Sequence, residues 1–206
     1  MQQYLIESPV ACLILVITFL TSIYAFNNLA ILDKTMLHPY SIWRKHNWYT
    51  LITSGLVHKD WTHLLFNMVS FYFFAFRLES TIGHFQFALV YFGGMVMGDL
   101  GSLFKHKNDY NYRSLGASGA VCAIVFSSIL FSPLSKMYLF PIPIGIPAVV
   151  YGIGFLGYCI YASKHDAGYI NHDAHFLGAL SGVVITIILY PEVINYFIAQ
   201  IFSRAI

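Results

Sequence analysis

Residues 114–135 read SLGASGAVCAIVFSSILFSPLS, without one charged side chain. A helix crosses the ~30 Å hydrocarbon core of a bilayer with about 20 residues, so this stretch is long enough to span one. Its opening, Gly116-Ala117-Ser118-Gly119, sets a hydroxyl between small residues where a membrane helix begins. A polar side chain in that setting costs free energy unless it has a partner or a task. Outward from this stretch, five more apolar runs occupy residues 8–32, 61–76, 80–98, 137–163 and 174–191. The run 61–76 gains length because Arg77 can snorkel at its end.

The whole chain is 58% hydrophobic and 10% charged, against roughly 25% charged residues in soluble domains. Mean hydropathy is +0.66. Too few charges remain to coat a water-soluble surface. The expected architecture is therefore all-α: a polytopic membrane protein of six transmembrane helices, forming one integral domain over residues 1–206. The first run has no Lys or Arg ahead of it and exceeds the about 7–15 residues of a signal-peptide core, so it reads as a retained helix. Residues 33–60 carry Tyr40, Trp43, Trp48 and Tyr49, suited to the headgroup layer, and read as an interfacial loop. The segment KHKNDYNYR (105–113) leads into the serine stretch, and Lys164-His165-Asp166-Ala167-Gly168 links the last two spans. Pro147 is expected within the first turns of span five, where a missing N–H does least harm. Cys12, Cys122 and Cys159 all lie in apolar runs and read as buried free thiols. A net charge of +2 offers nothing to a nucleic acid.

Six crossings put both termini on one side and make spans two, four and six run in the same direction. His63 and Asn67, one turn apart on one helix face, open span two; Ser118 opens span four; His175 lies near the start of span six. Polar side chains from three distant places thus converge on one layer. Ser118 lies roughly one turn, or ~5 Å, below its edge. A serine becomes a nucleophile when a base within about 2.6–3.2 Å takes its proton, and His175 is the base at that depth. The oxyanion of an acyl-transfer intermediate needs donors, which the Asn67 amide, a His63 ring N–H and the Ser118 backbone N–H can supply. Asp173 projects from a different helical face than His175, and Asp99 and Glu79 lie toward the far ends of their spans. The expectation is a Ser–His dyad hydrolysing a peptide bond, without cofactor or metal. The small residues Gly119, Ala120 and Ala123 on span four, and Ala174, Gly178 and Gly182 on span six, allow the close helix approach such a dyad requires. Gly94-x-x-x-Gly98 reads only as helix packing.

His63-Leu-Leu-Phe-Asn67, Gly116-Ala-Ser118-Gly119 and Ala174-His175-Phe-Leu-Gly178-Ala-Leu-Ser-Gly182 together resemble the motifs of the rhomboid intramembrane serine proteases, in their minimal six-helix form. The resemblance implies Ser118 as nucleophile, His175 as base, and His63 and Asn67 as oxyanion stabilisers. It implies structural or supporting roles for His58 and for Glu79 with Gly83. It further implies transmembrane protein substrates, a multi-pass place in a bacterial inner (plasma) membrane, and a site facing outward with the termini inside. The charge pattern argues the other way. Arg77, Lys136 and Arg204 fall on the side of the termini, while most Lys and Arg residues fall opposite, which by the positive-inside rule puts the termini outside. The family topology is followed here. Two departures stand out. The first loop has Trp48-Tyr49-Thr50 where relatives often carry an arginine, with Trp43-Arg44 just upstream. Cys122 stands where many bacterial relatives place a tyrosine that stacks on the catalytic histidine.

The alternative from another class is a non-catalytic rhomboid-like protein that binds transmembrane helices; intact Ser118 and His175 argue against it. A metal-dependent protease is suggested only by His172-x-x-His175, and no H-E-x-x-H accompanies it.

Overall fold

Proline, asparagine and glycine cut the apolar runs into helices whose limits differ from a simple reading of charge. In the computed structural model the described residues are 6–139, 142–165 and 170–202. Asp166 to Gly168 of the last linker, and Arg204, lie outside them. Helix α1 covers Pro9–Phe26, with Pro9 in its first turn, where a missing N–H is harmless. The expected span 8–32 is broken at its end. Asn27 closes α1, and the Asn28 side chain accepts from Ile31 N to start α2, Leu29–Thr35. Residues 33–60 are not an open loop: α3 (Pro39–Trp43), α4 (Thr50–Thr53) and a 3₁₀ turn (Ser54–Leu56) fold within them. Leu37 and Ile42 are buried with Leu103 in a small satellite core.

The longest helices are α5 (Trp61–Ile82) and α6 (His84–Lys105), so α5 continues past Arg77 to a break at Gly83. Helix α7 is Ser118–Phe131, α8 is Ala148–His165, α9 is His172–Leu189 and α10 is Val193–Phe202. The start of span five needs correcting, although the chain is mostly helical as expected. Strand β1 (Lys136–Leu139) pairs antiparallel with β2 (Ile142–Pro147), registered Met137 to Ile146 and Tyr138 to Gly145. Prolines 141, 143 and 147 deny a helix its amide donors. Pro147 ends β2 rather than sitting inside a helix, and α8 begins after it.

Helix α7 is the axis of the fold. From Gly119 to Leu130, only Cys122 and Ser128 are not buried. Around it pack α5, α6, α8 and α9, over a core that includes Leu64, Phe71, Phe87, Tyr91 and Ile124. At 14 residues α7 is only ~21 Å long at 1.5 Å per residue, short of a full bilayer core. The molecule is otherwise turned inside out for water: Leu20, Phe66, Phe73, Phe85, Ile153 and Ile188 point outward. Exposed apolar surface on this scale marks a lipid or protein interface. Among the described residues three helices, α1, α6 and α9, are long and apolar enough to cross a membrane by length and composition.

Candidate active site

Three helices begin at one cavity. The first turns of α5 and α9 and the start of α7 line a space of about 950 Å³, together with the last turns of α6. Ser118, His175, His63 and Asn67 all line it. Among the described residues, no hydrogen bond joins Ser118 to His175.

The segment before Ser118 is held by backbone bonds. Gly116 N donates to Ser54 O at 2.8 Å, and Ser114 pairs with Leu37 in an isolated bridge. Gly116 has φ +115°, a conformation side chains rarely adopt. A Cβ there would also lie 2.7 Å from His63 Nε2, so the imidazole occupies the space only glycine leaves. Ser118 is the first residue of α7. Helix starts leave their first N–H groups without an intrahelical acceptor, so backbone donors open toward the cavity where Ser118 stands.

His63 is fixed through its own helix. Asp60 caps α5 by accepting from His63 N at 2.8 Å. Asn67, nearly buried, gives one amide hydrogen to His63 O at 2.9 Å, leaving its second hydrogen for another acceptor. His58 lies behind, its ring 4.9 Å from that of His63 and nearly perpendicular to it. Ala117 N donates to His58 Nε2 at 3.4 Å, so the proton of the neutral ring is on Nδ1, which meets Ser22 Oγ at 3.0 Å. Burial, then the neighbouring His63, pushes the His58 pKa down to about 3, against the smaller opposing pull of Asp60. His58 therefore links α1, α5 and the segment before Ser118 as a neutral ring.

His175 reaches the cavity because α9 meets α7 backbone to backbone. A Cβ on Gly178 would collide with the Gly119 carbonyl and lie 2.9 Å from its Cα; a Cβ on Gly182 would collide with Ala123 O. Gly94 and Gly98 of α6 belong to the same seam, Gly98 approaching the Ala174 carbonyl and Gly119. This is the helix packing their spacing suggests. The first turn of α9 is set by Asn171, a residue the sequence reading passed over. Its Oδ1 accepts from Ala174 N at 3.1 Å, and its Nδ2 donates to Ser102 Oγ at 2.7 Å. The Asn–x–x–Ala pattern before an apolar helix is a capping signal that sequence alone offered.

A second unexpected neighbour is Phe155 of α8, whose ring runs nearly parallel to that of His175, with centroids 6.3 Å apart and planes at 24°. Tyr151 stacks behind Phe155 at 5.8 Å. Cys122, one turn into α7, has no ring to offer, so the aromatic face beside the histidine comes from a different helix. No local motif announces Phe155.

The acids fall into place separately. Asp173 pairs with Lys105 at 3.3 Å, away from the His175 ring. Asp99 does line the cavity, but none of the ring contacts or hydrogen bonds of His175 among the described residues is with it. Glu79 is fully buried far along α5, where its two oxygens accept from Val10 N at 3.0 Å and Ala11 N at 2.7 Å, and His84 Nδ1 lies 2.7 Å from it. It holds the start of α1 against α5. Arg44 lies over the Tyr40 ring and donates to the Tyr40 and Lys107 carbonyls, outside the cavity lining.

The Rhomboid domain family matches residues 45–192. The chain is 34% identical to the putative rhomboid protease YdcA of Bacillus subtilis over 139 residues, covering 68% of this chain and 66% of that one. It is 33% identical to the mitochondrial RHOMBOID-like protein 12 of Arabidopsis thaliana, covering 64% of this chain and 43% of the relative. Against the rhomboid protease GluP of Bacillus subtilis it is 27% identical, over 66% of this chain and 25% of that protein. The chain thus spans from a quarter to two thirds of the length of these curated relatives.

Proposed function

This integral membrane protein belongs to the rhomboid family, and we propose that it is a serine endopeptidase that cleaves transmembrane protein substrates near the outer membrane face. The observation that carries the reading is the shared cavity: Ser118 and His175, from helices in backbone contact, line it together with His63 and Asn67. In this reading α1, α5, α6, α7, α8 and α9 are six spans, with both termini on the same side. The short α7 starts below the membrane surface, and the irregular segment before it is tolerated because it lines a cavity. A bacterial plasma membrane is our reading of the location, supported by the Bacillus relatives; the relatives also include a mitochondrial protein.

The roles follow from position. His175 takes the Ser118 proton as the hydroxyl attacks a substrate carbonyl, then returns it to the leaving amine, and water repeats the sequence to release the acyl group. The Ser118 backbone N–H, the free amide hydrogen of Asn67 and a His63 ring N–H receive the oxyanion. A substrate helix must unwind locally, because its carbonyls are already bonded within it. Segments with small or weakly helical residues near the cut are therefore preferred.

The test is cleavage of a reconstituted single-pass substrate by the wild type, Ser118→Ala and His175→Ala. Both variants should lose cleavage while keeping the wild-type melting temperature. Equal cleavage by wild type and Ser118→Ala would remove the serine mechanism. Failure of a fluorophosphonate probe to label Ser118 in the folded wild type would favour a helix-binding, non-catalytic role.

A further inference from the structure

Helices α8 and α9 bring a thiol and two imidazoles together beside the cavity. Cys159, His172 and His175 each offer a ligand atom, and these atoms all lie within 4.8 Å of one another. We propose that the three residues form a binding site for Zn²⁺, and that its occupation switches the enzyme off by consuming the base. Binding stands on the cluster itself; the inhibitory consequence rests on the protease reading above.

Zn–S bonds of about 2.3 Å and Zn–N bonds of about 2.0–2.1 Å at tetrahedral angles hold ligand atoms roughly 3.4–3.6 Å apart, so small side-chain rotations close this group around an ion. His172 and His175 are three residues apart on one face of the first turn of α9, their rings 6.0 Å apart and nearly perpendicular, as ligands converging from two directions require. Both line the cavity, which gives an ion its route in, while Cys159 is fully buried behind them. A thiolate with two imidazoles selects zinc over magnesium or calcium. The fourth position falls to a water from the cavity, the pattern of an open rather than a closed zinc site. Binding releases the Cys159 proton to solvent.

The inhibition follows from electron pairs. A neutral imidazole has one ring nitrogen that carries hydrogen and one with a free pair. Coordination through either nitrogen takes that pair, and the other nitrogen holds the remaining hydrogen. Nothing is left on His175 to accept the Ser118 proton. Cys159 has no place in the hydrolytic steps, so the metal acts on the reaction only through His175.

The experiment uses the full chain in detergent micelles, freed of metal with a chelator. Co²⁺ should give a thiolate-to-metal absorption band in the wild type and in Ser118→Ala, displaced by Zn²⁺. The band should vanish in Cys159→Ala, and Co²⁺ affinity should fall about 10–100-fold in His172→Ala. In cleavage assays Zn²⁺ should inhibit the wild type, while Cys159→Ala keeps zinc-free activity and needs at least about 10-fold more Zn²⁺ for half inhibition. Cys159→Ser and the melting temperatures of all variants separate loss of a ligand from loss of fold. Absence of the band, or a correctly folded Cys159→Ala as zinc-sensitive as the wild type, overturns the proposal. Zinc bound through Cys159 without inhibition overturns its regulatory half. A wild type that binds Co²⁺ but never cleaves in chelator leaves the site standing and removes the protease reading instead.

Discussion

The Phe155 ring lies nearly parallel to that of His175, centroids 6.3 Å apart, although the two residues belong to different helices. An aromatic face at this distance restrains the tilt of an imidazole without bonding either nitrogen, so the nitrogen with the free pair stays open to accept a proton. Aromatic pairs of this kind contribute ~0.5–1.5 kcal/mol beyond burial. Phe155→Ala should therefore slow turnover about 2–12-fold with little change in KM, and Phe155→Tyr should restore most of the rate. Steady-state kinetics on a reconstituted substrate read this directly. An unchanged rate in Phe155→Ala would mean the histidine is positioned by α9 alone.

The α7–α9 seam makes a prediction about glycines that differ only in surroundings. A Cβ on Gly178 strikes the Gly119 backbone, whereas one on Gly154, also in a helix, meets nothing within 4 Å. Gly178→Ala should push α9 from α7, carry His175 with it, and cost at least about 10-fold in cleavage, as expected when catalytic groups shift by ~1 Å. Gly154→Ala should leave activity unchanged and hold or raise the melting temperature, since alanine favours helix by ~1 kcal/mol over glycine. Equal behaviour of the two variants would contradict the packing described.

Acid should weaken the fold through His58. Its folded pKa is depressed to about 3 by burial, below the ordinary value of 6.5. Between these values the unfolded chain binds a proton that the folded chain refuses, so stability is full above about pH 6.5 and drains as pH falls toward 3. Burial likewise lowers His38 and His106, which act in the same direction. Melting curves should be flat from pH 7 to 9 on this account and fall at pH 5. In His58→Gln the fall should be smaller. A melting temperature that rises on acidification would refute the neutral ring assigned to His58.

Glu79 should matter for stability rather than chemistry. Its carboxylate receives two backbone N–H groups at the start of α1, where negative charge is favoured. Glu79→Gln removes the charge and one acceptor, at a cost of ~1.5–3 kcal/mol for a hydrogen bond to a charged group. Thermal unfolding should report the loss, with specific activity of the folded fraction retained.

The chain itself determined the run of apolar helices and the order along it of His63, Asn67, Ser118 and His175, while the break at residues 27–28 came to light only in the structure. These are properties of hydrophobic length and residue order, countable along one strand of residues. The strand pair of β1 and β2 was missed because its apolar content reads as membrane helix, although its prolines disfavour one. Only the tertiary structure decided that Phe155 faces His175 and that Cys159 gathers with His172 and His175. It also decided that Gly94 and Gly98 share the seam of Gly119 and Gly178. Those relationships depend on how far each helix is rotated about its axis and how closely backbones approach. Both are set by the mutual fit of surfaces from distant segments, which no single stretch of sequence encodes.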